Sequence, residues 1–199
     1  MLILASQSPR RAELLRNAGY SFEVRPVDVD ERMRTWESPL EYVTRLAWEK
    51  AVAALAAAPA GAVALGADTT VVVDGECLGK PVDAADARQM LSRLSGRSHE
   101  VMTGVCVAWR LAQGDEPLAE TPVEVEVEAE VTEVEFAALS AEEIAAYVEM
   151  GEPMDKAGAY AIQGRASRWI PRIRGCYFNV VGLPVARVSR MLRSAGRDG

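Results

Sequence analysis

Short apolar runs alternate with clearly bounded helices along the first part of this 199-residue chain. Residues 2–5 predict a buried strand. Ser8 followed by Pro9 is typical of the start of a helix, and a longer helix is predicted from Ser38 to about residue 58. This alternation predicts an α/β protein with helices and a mixed sheet.

The tetrapeptide Gly66-Ala67-Asp68-Thr69 separates two apolar runs at residues 62–65 and 70–73. An aspartate between two such runs indicates a strand break. Asp74-Gly75 is a turn signal, which predicts a hairpin between the runs on either side of it.

The rest of the chain carries the same kinds of signal. Residues 123–136 begin with valines that alternate with glutamates, which predicts a half-buried antiparallel strand whose glutamate face contacts water. The other predicted elements are helices over residues 84–94, 140–150 and 184–192 and strands over residues 20–24, 100–109 and 177–181.

The net charge of −7 comes from 22 basic and 29 acidic residues. A protein this acidic is a poor non-specific binder of nucleic-acid polymers. The apolar start of the chain is too short for a signal peptide or a membrane span, so we expect a cytoplasmic protein that binds no membrane. The three cysteines match no zinc or redox spacing and are interpreted as small buried hydrophobes.

Only three of the 22 basic residues are lysines, namely Lys50, Lys80 and Lys156. Lysine is a compact charge on a flexible stem, whereas arginine is a planar fork. In a chain that otherwise uses arginine, a lysine suggests a position where a planar guanidinium would not fit the required contact. The alternative is that lysine occurs at these positions by chance. Gly79-Lys80-Pro81 frames its lysine rigidly, which suits neutralisation of a phosphate.

The helix start at Ser8 carries Arg10 and Arg11 in its first turn, where cations oppose the helix dipole. This placement makes sense if the arginines and the unpaired backbone N–H groups share an anion, and phosphate is a recurring anion at helix starts. The alternative is that both arginines are exposed or pair with an acid such as Glu13.

Two acidic positions complete the candidate chemistry. A carboxylate at Asp68 can orient or deprotonate the water that hydrolyses a phosphoanhydride, and a turn or capping aspartate is the alternative. The loop containing Asp28, Asp30 and Glu31 is a candidate half of a Mg²⁺ site, because Mg²⁺ prefers few carboxylates together with water and substrate phosphates. A solvated loop fits that sequence equally well.

Gln163, between an apolar run and a glycine, offers both a donor and an acceptor, which suits recognition of a base edge. The chain contains neither GxxxxGK[ST] nor GxGxxG, so the usual P-loop and Rossmann fingerprints do not apply. The single histidine, His99, is interpreted as a surface or strand residue.

Six segments, taken in order, resemble the Maf family of nucleotide pyrophosphatases, also called septum formation inhibitors. They are residues 6–11 (SQSPRR), 45–51 (RLAWEKA), 66–69 (GADT), 79–81 (GKP), 155–164 (DKAGAYAIQG) and 181–184 (VGLP). The resemblance covers nearly the whole chain. It implies a single domain over residues 1–199, with an elongated mixed sheet and a cleft between two lobes, similar to the inosine triphosphate pyrophosphatases.

The resemblance further implies hydrolysis of a nucleoside triphosphate to the monophosphate and pyrophosphate by attack of water on the α-phosphate. Asp68 would be the proton acceptor and would act with Lys50 and Lys80. A divalent cation, Mg²⁺ or Mn²⁺, would be held by Glu31 and Asp68. Dimers are common in such proteins, so the resemblance is compatible with a homodimer.

Ser8 and Arg11 would hold phosphate, and three other positions indicate a branch of the family. The branch that prefers dTTP and UTP carries an arginine, a threonine and a glutamine where this chain has Arg10, Thr69 and Gln163. The 7-methyl-GTP branch carries tryptophan, glutamine and glutamate there. The resemblance assigns no role to the arginine-rich loop over residues 165–174.

Two alternatives to dTTP and UTP hydrolysis stay open. One is a different nucleotide preference, such as modified pyrimidine triphosphates or CTP. The other is a nucleotide-sensing regulator of cell division with little turnover. The set Asp68, Lys50 and Lys80 favours an enzyme, because a pure binding module has no use for a water-orienting carboxylate beside a triphosphate.

Overall fold

A computed structural model describes residues 1–110 and 121–197, and in these residues seven strands form one sheet with six α-helices. The strands are β1 (Leu2–Ala5), β2 (Phe22–Val24), β3 (Val63–Val73), β4 (Glu76–Leu78), β5 (Ser98–Arg110), β6 (Val123–Glu135) and β7 (Arg172–Arg174). The helices are α1 (Pro9–Asn17), α2 (Pro39–Ala56), α3 (Ala84–Leu94), α4 (Ala141–Glu149), α5 (Tyr177–Val181) and α6 (Val185–Ser194). None of the helices in this described part has the length and apolar character needed to cross a bilayer.

The strand order is β2-β1-β3-β5-β6-β7, and β4 pairs with β3. β1 is parallel to both of its neighbours, with Leu4 opposite Val24 of β2 and Leu65 of β3. β4 and β7 pair antiparallel with β3 and β6. The prediction of an α/β fold with a mixed sheet is confirmed.

Internal contacts divide the chain into two compact units. Unit 1 contains Met1–Asp68, Thr103–Ala129 and the residues from Gly182 onward. Unit 2 contains Thr69–Met102 and Glu130–Val181. The boundary therefore falls directly after the candidate catalytic aspartate, Asp68.

Most helix starts follow the capping signals in the sequence. Ser38 and Ser140 each form a complete capping box, with Glu41 and Glu143 respectively, at the starts of α2 and α4. These reciprocal hydrogen bonds satisfy backbone N–H groups that have no partner inside the helix. α3 begins and ends at the predicted residues, 84 and 94.

The strand break predicted at residues 66–69 is wrong, because β3 runs without interruption from Val63 to Val73. Asp68 and Thr69 are half-buried within this strand. The hairpin that follows is confirmed. Asp74 and Gly75 have φ angles of 55° and 79°, as a tight turn between two antiparallel strands requires.

The strand predicted over residues 177–181 is also wrong, since these residues form helix α5. The backbone N–H of Cys176 donates to Thr132 Oγ1 at 3.0 Å. The buried Asn179 side chain donates to the Val101 carbonyl and to Thr132 Oγ1, both at 2.9 Å. These tertiary hydrogen bonds override the strand propensity of an aromatic and β-branched run.

β6 is a strand as predicted, but the predicted exposure of its two faces is wrong. Glu128 accepts hydrogen bonds from Arg187 and Arg190 of α6, and Glu126 accepts one from Arg190 at 3.3 Å. The alternating valines, in contrast, are exposed. The arginines of α6 therefore partly cover Glu126 and Glu128, whereas Glu124 and the alternating valines stay exposed.

Candidate active site

Helix α1 begins at Ser8, whose hydroxyl accepts a hydrogen bond from the backbone N–H of Arg11 at 3.4 Å. The N–H of Ser8 itself donates to the hydroxyl of Ser6 at 3.2 Å. The first turn contains no acidic residue. The positive end of the helix dipole is therefore not balanced by this turn, which keeps the helix start suited to an anion.

Arg11 connects this helix start to two other segments of unit 1. Its Nε donates to the Gly182 carbonyl at 2.8 Å, and its Nη1 donates to the Ala67 carbonyl at 2.9 Å and to Ser6 Oγ at 3.2 Å. Burial lowers the pKa of Arg11, while the charge of Asp68 acts in the opposite direction. Arg11 thus holds α1 against the residue that precedes Asp68. Arg10 is half-buried in the same turn.

The backbone of α2 lies directly against two glycines of the sheet. A Cβ on Gly66 would lie 2.1 Å from the carbonyl oxygen of Ala47, and one on Gly104 would lie 2.2 Å from that of Val43. Gly66 and Asp68 are two residues apart in β3, so they share the face that meets α2. The glycine in this motif therefore permits the close approach that brings α2 to Asp68.

Lys50, on α2, forms the centre of the candidate site. Its Nζ lies 2.7 Å from Asp68 Oδ1 and 2.6 Å from Glu31 Oε1. The side chains of Lys50 and Asp68 are 10% and 14% exposed, whereas that of Glu31 is 59% exposed. One ammonium group thus joins two carboxylates that are distant in the sequence. The structure therefore brings together three of the predicted site residues, Lys50, Asp68 and Glu31.

Two further residues of α2 hold the loop that carries Glu31, and the sequence reasoning missed both. The hydroxyl of Tyr42 donates to the Glu31 carbonyl at 2.9 Å, and Arg45 Nη2 donates to the Arg32 carbonyl at 3.1 Å. Arg45 also pairs with Glu37, and this hydrogen bond lowers the pKa of the Glu37 carboxyl to about 2. Residues 42 and 45 are one helical turn apart, and this spacing could have indicated that both side chains lie on one face of α2.

The other predicted site residues belong to unit 2. Lys80 and Gln163 are exposed, and Thr69 is half-buried on β3. The Gly158 N–H donates to the Gly79 carbonyl at 3.0 Å, which ties the segment before Lys80 to the segment that leads to Gln163. Gly158 has a φ of 68° and packs against Val71, so no side chain fits there.

Lys156, the third lysine, has a local role in unit 2. Its Nζ donates to the Glu152 carbonyl at 2.7 Å and to the carboxylate of its neighbour Asp155 at 2.5 Å. The lysine thereby stabilises the 3₁₀ turn over Glu152–Asp155. Its ammonium is used for folding this segment, unlike that of Lys50.

Glu31 and Asp68 are the predicted ligands of a divalent cation. Within residues 1–110 and 121–197, no three histidine, cysteine, aspartate or glutamate side chains form a metal cluster. Oxygens of Glu31 and Asp68 nevertheless meet around one positively charged atom, Lys50 Nζ. Two carboxylates are what Mg²⁺ uses when water and substrate phosphates complete its shell, so these residues fit a divalent cation.

The arrangement in unit 1 suits hydrolysis of a phosphate ester or anhydride. Asp68 is a carboxylate of fixed orientation that can accept a proton from a water molecule. Lys50 supplies a positive charge next to it, and the start of α1 supplies the positive end of a helix dipole, which favours an anion.

Two solved structures show a distant similarity to this fold. One is the Ham1 protein of Staphylococcus aureus, which is 17% identical, with a TM-score of 0.44 over 68% of this chain and 71% of that chain. The other is a HAM1 protein of Coxiella burnetii, which is 18% identical, with a TM-score of 0.40 over 81% of this chain and 87% of that chain.

The sequence is much more similar to several proteins that carry the name "dTTP/UTP pyrophosphatase". The protein of Symbiobacterium thermophilum is 56% identical over 98% of this chain and 94% of its own length. That of Koribacter versatilis is 54% identical over the same shares, and that of Geobacter sulfurreducens is 51% identical over 98% and 96%. The family described as "Maf-like protein" matches residues 1–195. The chain belongs to the Maf family.

Proposed function

We propose that this chain hydrolyses dTTP and UTP to the monophosphate and pyrophosphate. It is a nucleoside triphosphate pyrophosphatase, as its relatives at 50–56% identity are named, and this hydrolase activity fits the site in unit 1. The observation that carries the proposal is the position of the Lys50 ammonium between the carboxylates of Asp68 and Glu31.

Asp68 is assigned the role of proton acceptor. Its carboxylate accepts a proton from the water that attacks the α-phosphate, while the hydrogen bond from Lys50 at 2.7 Å fixes its orientation. Lys50 also offsets negative charge that develops on the phosphate oxygens. Tyr42 and Arg45 contribute indirectly, because they hold the loop that presents Glu31.

The substrate contacts are assigned to two sets of residues. In unit 1, Ser8 and Arg11 are proposed to bind the phosphates at the start of α1, where the positive end of the helix dipole and the arginine charge favour an anion. Arg10, in the same turn, is proposed to take part in selecting the nucleotide. In unit 2, Lys80 is proposed to neutralise phosphate, and Thr69 and Gln163 are proposed to select the pyrimidine base. The exposure of Lys80 and Gln163 supports their availability to a ligand.

Glu31 and Asp68 are proposed to hold a divalent cation, Mg²⁺ or Mn²⁺. When bound, the cation would neutralise charge on the phosphate oxygens. Lys50 contacts the same two carboxylates and keeps them close together.

The test is pyrophosphate release from dTTP, UTP, CTP, GTP and 7-methyl-GTP, each with Mg²⁺ or Mn²⁺. We expect release from dTTP and UTP, and a loss of at least about 100-fold in kcat for Asp68→Asn. Asp74→Asn is the matched control, because this aspartate is exposed in the hairpin turn and asparagine tolerates its positive φ. No turnover of any triphosphate, or full activity of Asp68→Asn, would contradict the proposal.

A binding measurement beside this assay tests the alternative function, a regulator of cell division that senses nucleotides. Calorimetry of the wild type with α,β-methylene dTTP, whose bond between the α- and β-phosphates resists hydrolysis, measures binding independently of turnover. Tight binding without pyrophosphate release would favour the regulator, whereas binding followed by release would favour the enzyme.

We further propose a homodimer. The apolar side chains of Val123, Val125 and Val127 are 37–41% exposed, and among the described strands β7 pairs with β6 only at Glu133–Glu135. A row of exposed valines on one face of β6, next to an edge that β7 leaves uncovered there, favours association with another chain. Light scattering distinguishes the 21.5 kDa monomer from a particle of twice that mass.

A cytoplasmic location is proposed from the substrate class, since free nucleoside triphosphates are cytoplasmic metabolites. Fractionation of cells that produce the tagged protein tests this location. Recovery of the protein in the membrane or external fraction would contradict it.

A further inference from the structure

Glu152, in the 3₁₀ turn after α4, binds the segment that carries Gln163. Its Oε1 accepts a hydrogen bond from the backbone N–H of Arg165 at 3.0 Å, and its Oε2 lies 3.3 Å from the same nitrogen. The hydroxyl of Tyr147 donates to Glu152 Oε1 at 2.8 Å. The carboxylate is thus shared between a side chain of α4 and the backbone that follows Gln163.

Tyr147 binds the other side of Gln163. Its hydroxyl oxygen accepts a hydrogen bond from the Ala161 N–H at 3.3 Å. Tyr147 and Glu152 therefore bind backbone N–H groups two residues before and two residues after Gln163. Neither side chain belongs to the six segments that resemble the Maf family.

Gly164, next to Gln163, packs directly on this pair. A Cβ at Gly164 would lie 1.9 Å from Glu152 Oε1, so only glycine lets the carboxylate approach the backbone here. The segment at residues 155–164 contains this glycine, but the sequence alone does not show that it contacts Glu152. The structure gives its physical reason, which is close contact with a carboxylate.

Tyr147 is held by buried packing against Trp169. Tyr147 is 2% exposed, and its ring meets that of Trp169 edge to face, with 5.2 Å between the ring centroids. Trp169 Nε1 in turn donates to Glu143 Oε1 at 3.2 Å in the first turn of α4. Gln163 itself is exposed, so its own packing does not hold it. Its position depends on the backbone that Tyr147 and Glu152 bind.

We propose that Glu152 and Tyr147 are positioning residues for base selection, which hold the 161–165 backbone so that Gln163 meets the pyrimidine at a fixed distance and angle. This inference rests on the proposed function, in which Gln163 contacts the base. A glutamine amide offers one donor and one acceptor, so it can pair with uracil or cytosine depending on how it is placed. A loosened backbone therefore weakens the discrimination between them.

The experiment compares kcat/KM for UTP with kcat/KM for CTP in four variants. Glu152→Ala is expected to lower the UTP-to-CTP ratio by about tenfold, mainly through a higher KM for UTP. Tyr147→Phe, which keeps the ring in place, is expected to lower the ratio by a smaller factor. Glu152→Gln keeps one acceptor oxygen at the same distance and is expected to recover most of the ratio.

Glu149→Ala is the matched control, because Glu149 is an exposed glutamate at the end of the same helix. Its ratio should equal that of the wild type. An unchanged ratio in both Glu152→Ala and Tyr147→Phe would overturn the proposal, as would equal losses for UTP and CTP. The rescue by glutamine and the KM effect distinguish positioning from a loss of folding.

Binding of α,β-methylene UTP and α,β-methylene CTP, measured by calorimetry, separates this inference from the proposed function. If the wild type binds the analogues but hydrolyses neither triphosphate, the proposed function fails, and the ratio of the two dissociation constants still tests the positioning role. The expected result is the same loss of preference in Glu152→Ala. A wild type that does not prefer the UTP analogue would overturn the positioning role.

Discussion

Gly66 of β3 lies so close to Ala47 of α2 that a methyl group at residue 66 would overlap the Ala47 carbonyl oxygen, at 2.1 Å. Because Lys50 follows Ala47 by three residues on the same side of α2, this contact also sets how closely Lys50 approaches Asp68. The packing of α2 on β3 and the geometry of the candidate site therefore both depend on Gly66 having a hydrogen atom in place of a side chain.

Gly66→Ala is expected to separate α2 from β3. We expect a loss of at least about 2 kcal/mol in the free energy of unfolding, because the methyl group meets backbone atoms that cannot rotate away. Pyrophosphate release should fall as well. Gly79→Ala is the control for stability, since a Cβ there has no atom within 4 Å. Equal urea midpoints for the two variants would contradict the argument.

Lys50→Met is expected to lower kcat by at least about 100-fold, because it removes the positive charge next to Asp68 and leaves two carboxylates facing each other. Lys50→Arg should not restore activity, since the planar guanidinium has a different shape and reach. Arg93→Met breaks the exposed pair with Glu76 and should change kcat by less than about twofold. Full activity of Lys50→Arg would show that charge alone suffices.

Arg45→Met is expected to reduce stability by about 2 kcal/mol, because the Glu37 carboxylate, which is 6% exposed, loses its cation. The double variant Arg45→Met with Glu37→Leu should recover most of this stability. Its activity should stay low, since the Arg45 contact to the Glu31 loop is still missing. Urea unfolding and pyrophosphate release measure the two effects separately, and recovery of both together would exclude a role in holding the loop.

His99 is expected to make stability depend on pH. It is buried, its Nε2 and the hydroxyl of Tyr160 share a hydrogen bond of 2.8 Å, and burial lowers its pKa from 6.5 to about 4. As pH falls below 6.5, the unfolded chain takes up a proton before the folded chain does. The contribution of His99 to the free energy of unfolding is therefore constant above pH 6.5. It decreases between pH 6.5 and pH 4, by at most about 1.4 kcal/mol per pH unit.

Urea unfolding at several values between pH 7 and pH 5 checks this dependence. His99→Gln removes the titrating group and retains a polar side chain, so its stability should vary less with pH than that of the wild type. Parallel pH profiles for the two proteins would assign the dependence to other groups. Glu37, whose pKa is lowered to about 2, does not add to the pH dependence in this range, because its stabilising effect is lost only as pH falls below its ordinary pKa of 4.5.

The sequence predicted well those elements whose signals are local. Capping serines, a glycine-containing turn and helical periodicity depend on neighbours within a few residues, and α2, α3 and the hairpin at Asp74 followed them. The errors arose where a distant partner decides the outcome. Asp68 stays inside a strand because Lys50 neutralises it, and residues 177–181 form a helix because Asn179 binds Val101 and Thr132.

The same distinction applies to β6 and to the candidate site. Alternation of valine and glutamate predicted the strand, but only the arginines of α6 determine which face is covered. Asp68, Glu31 and Lys50 were predicted as site residues, and their convergence on a single nitrogen atom could not be derived from their spacing. Tyr42 and Tyr147 escaped prediction because each acts through its hydroxyl on a backbone group of another segment.

The scarcity of lysine has a practical consequence for chemical labelling. A reagent that acylates primary amines meets only three lysine side chains in the whole chain. Lys80 is exposed, whereas the Lys50 amine is held by two carboxylates, so acylation should reach Lys80 before Lys50. The order in which these two amines react, followed by mass spectrometry, is thus a label-based measure of whether the Lys50 ion pairs are closed.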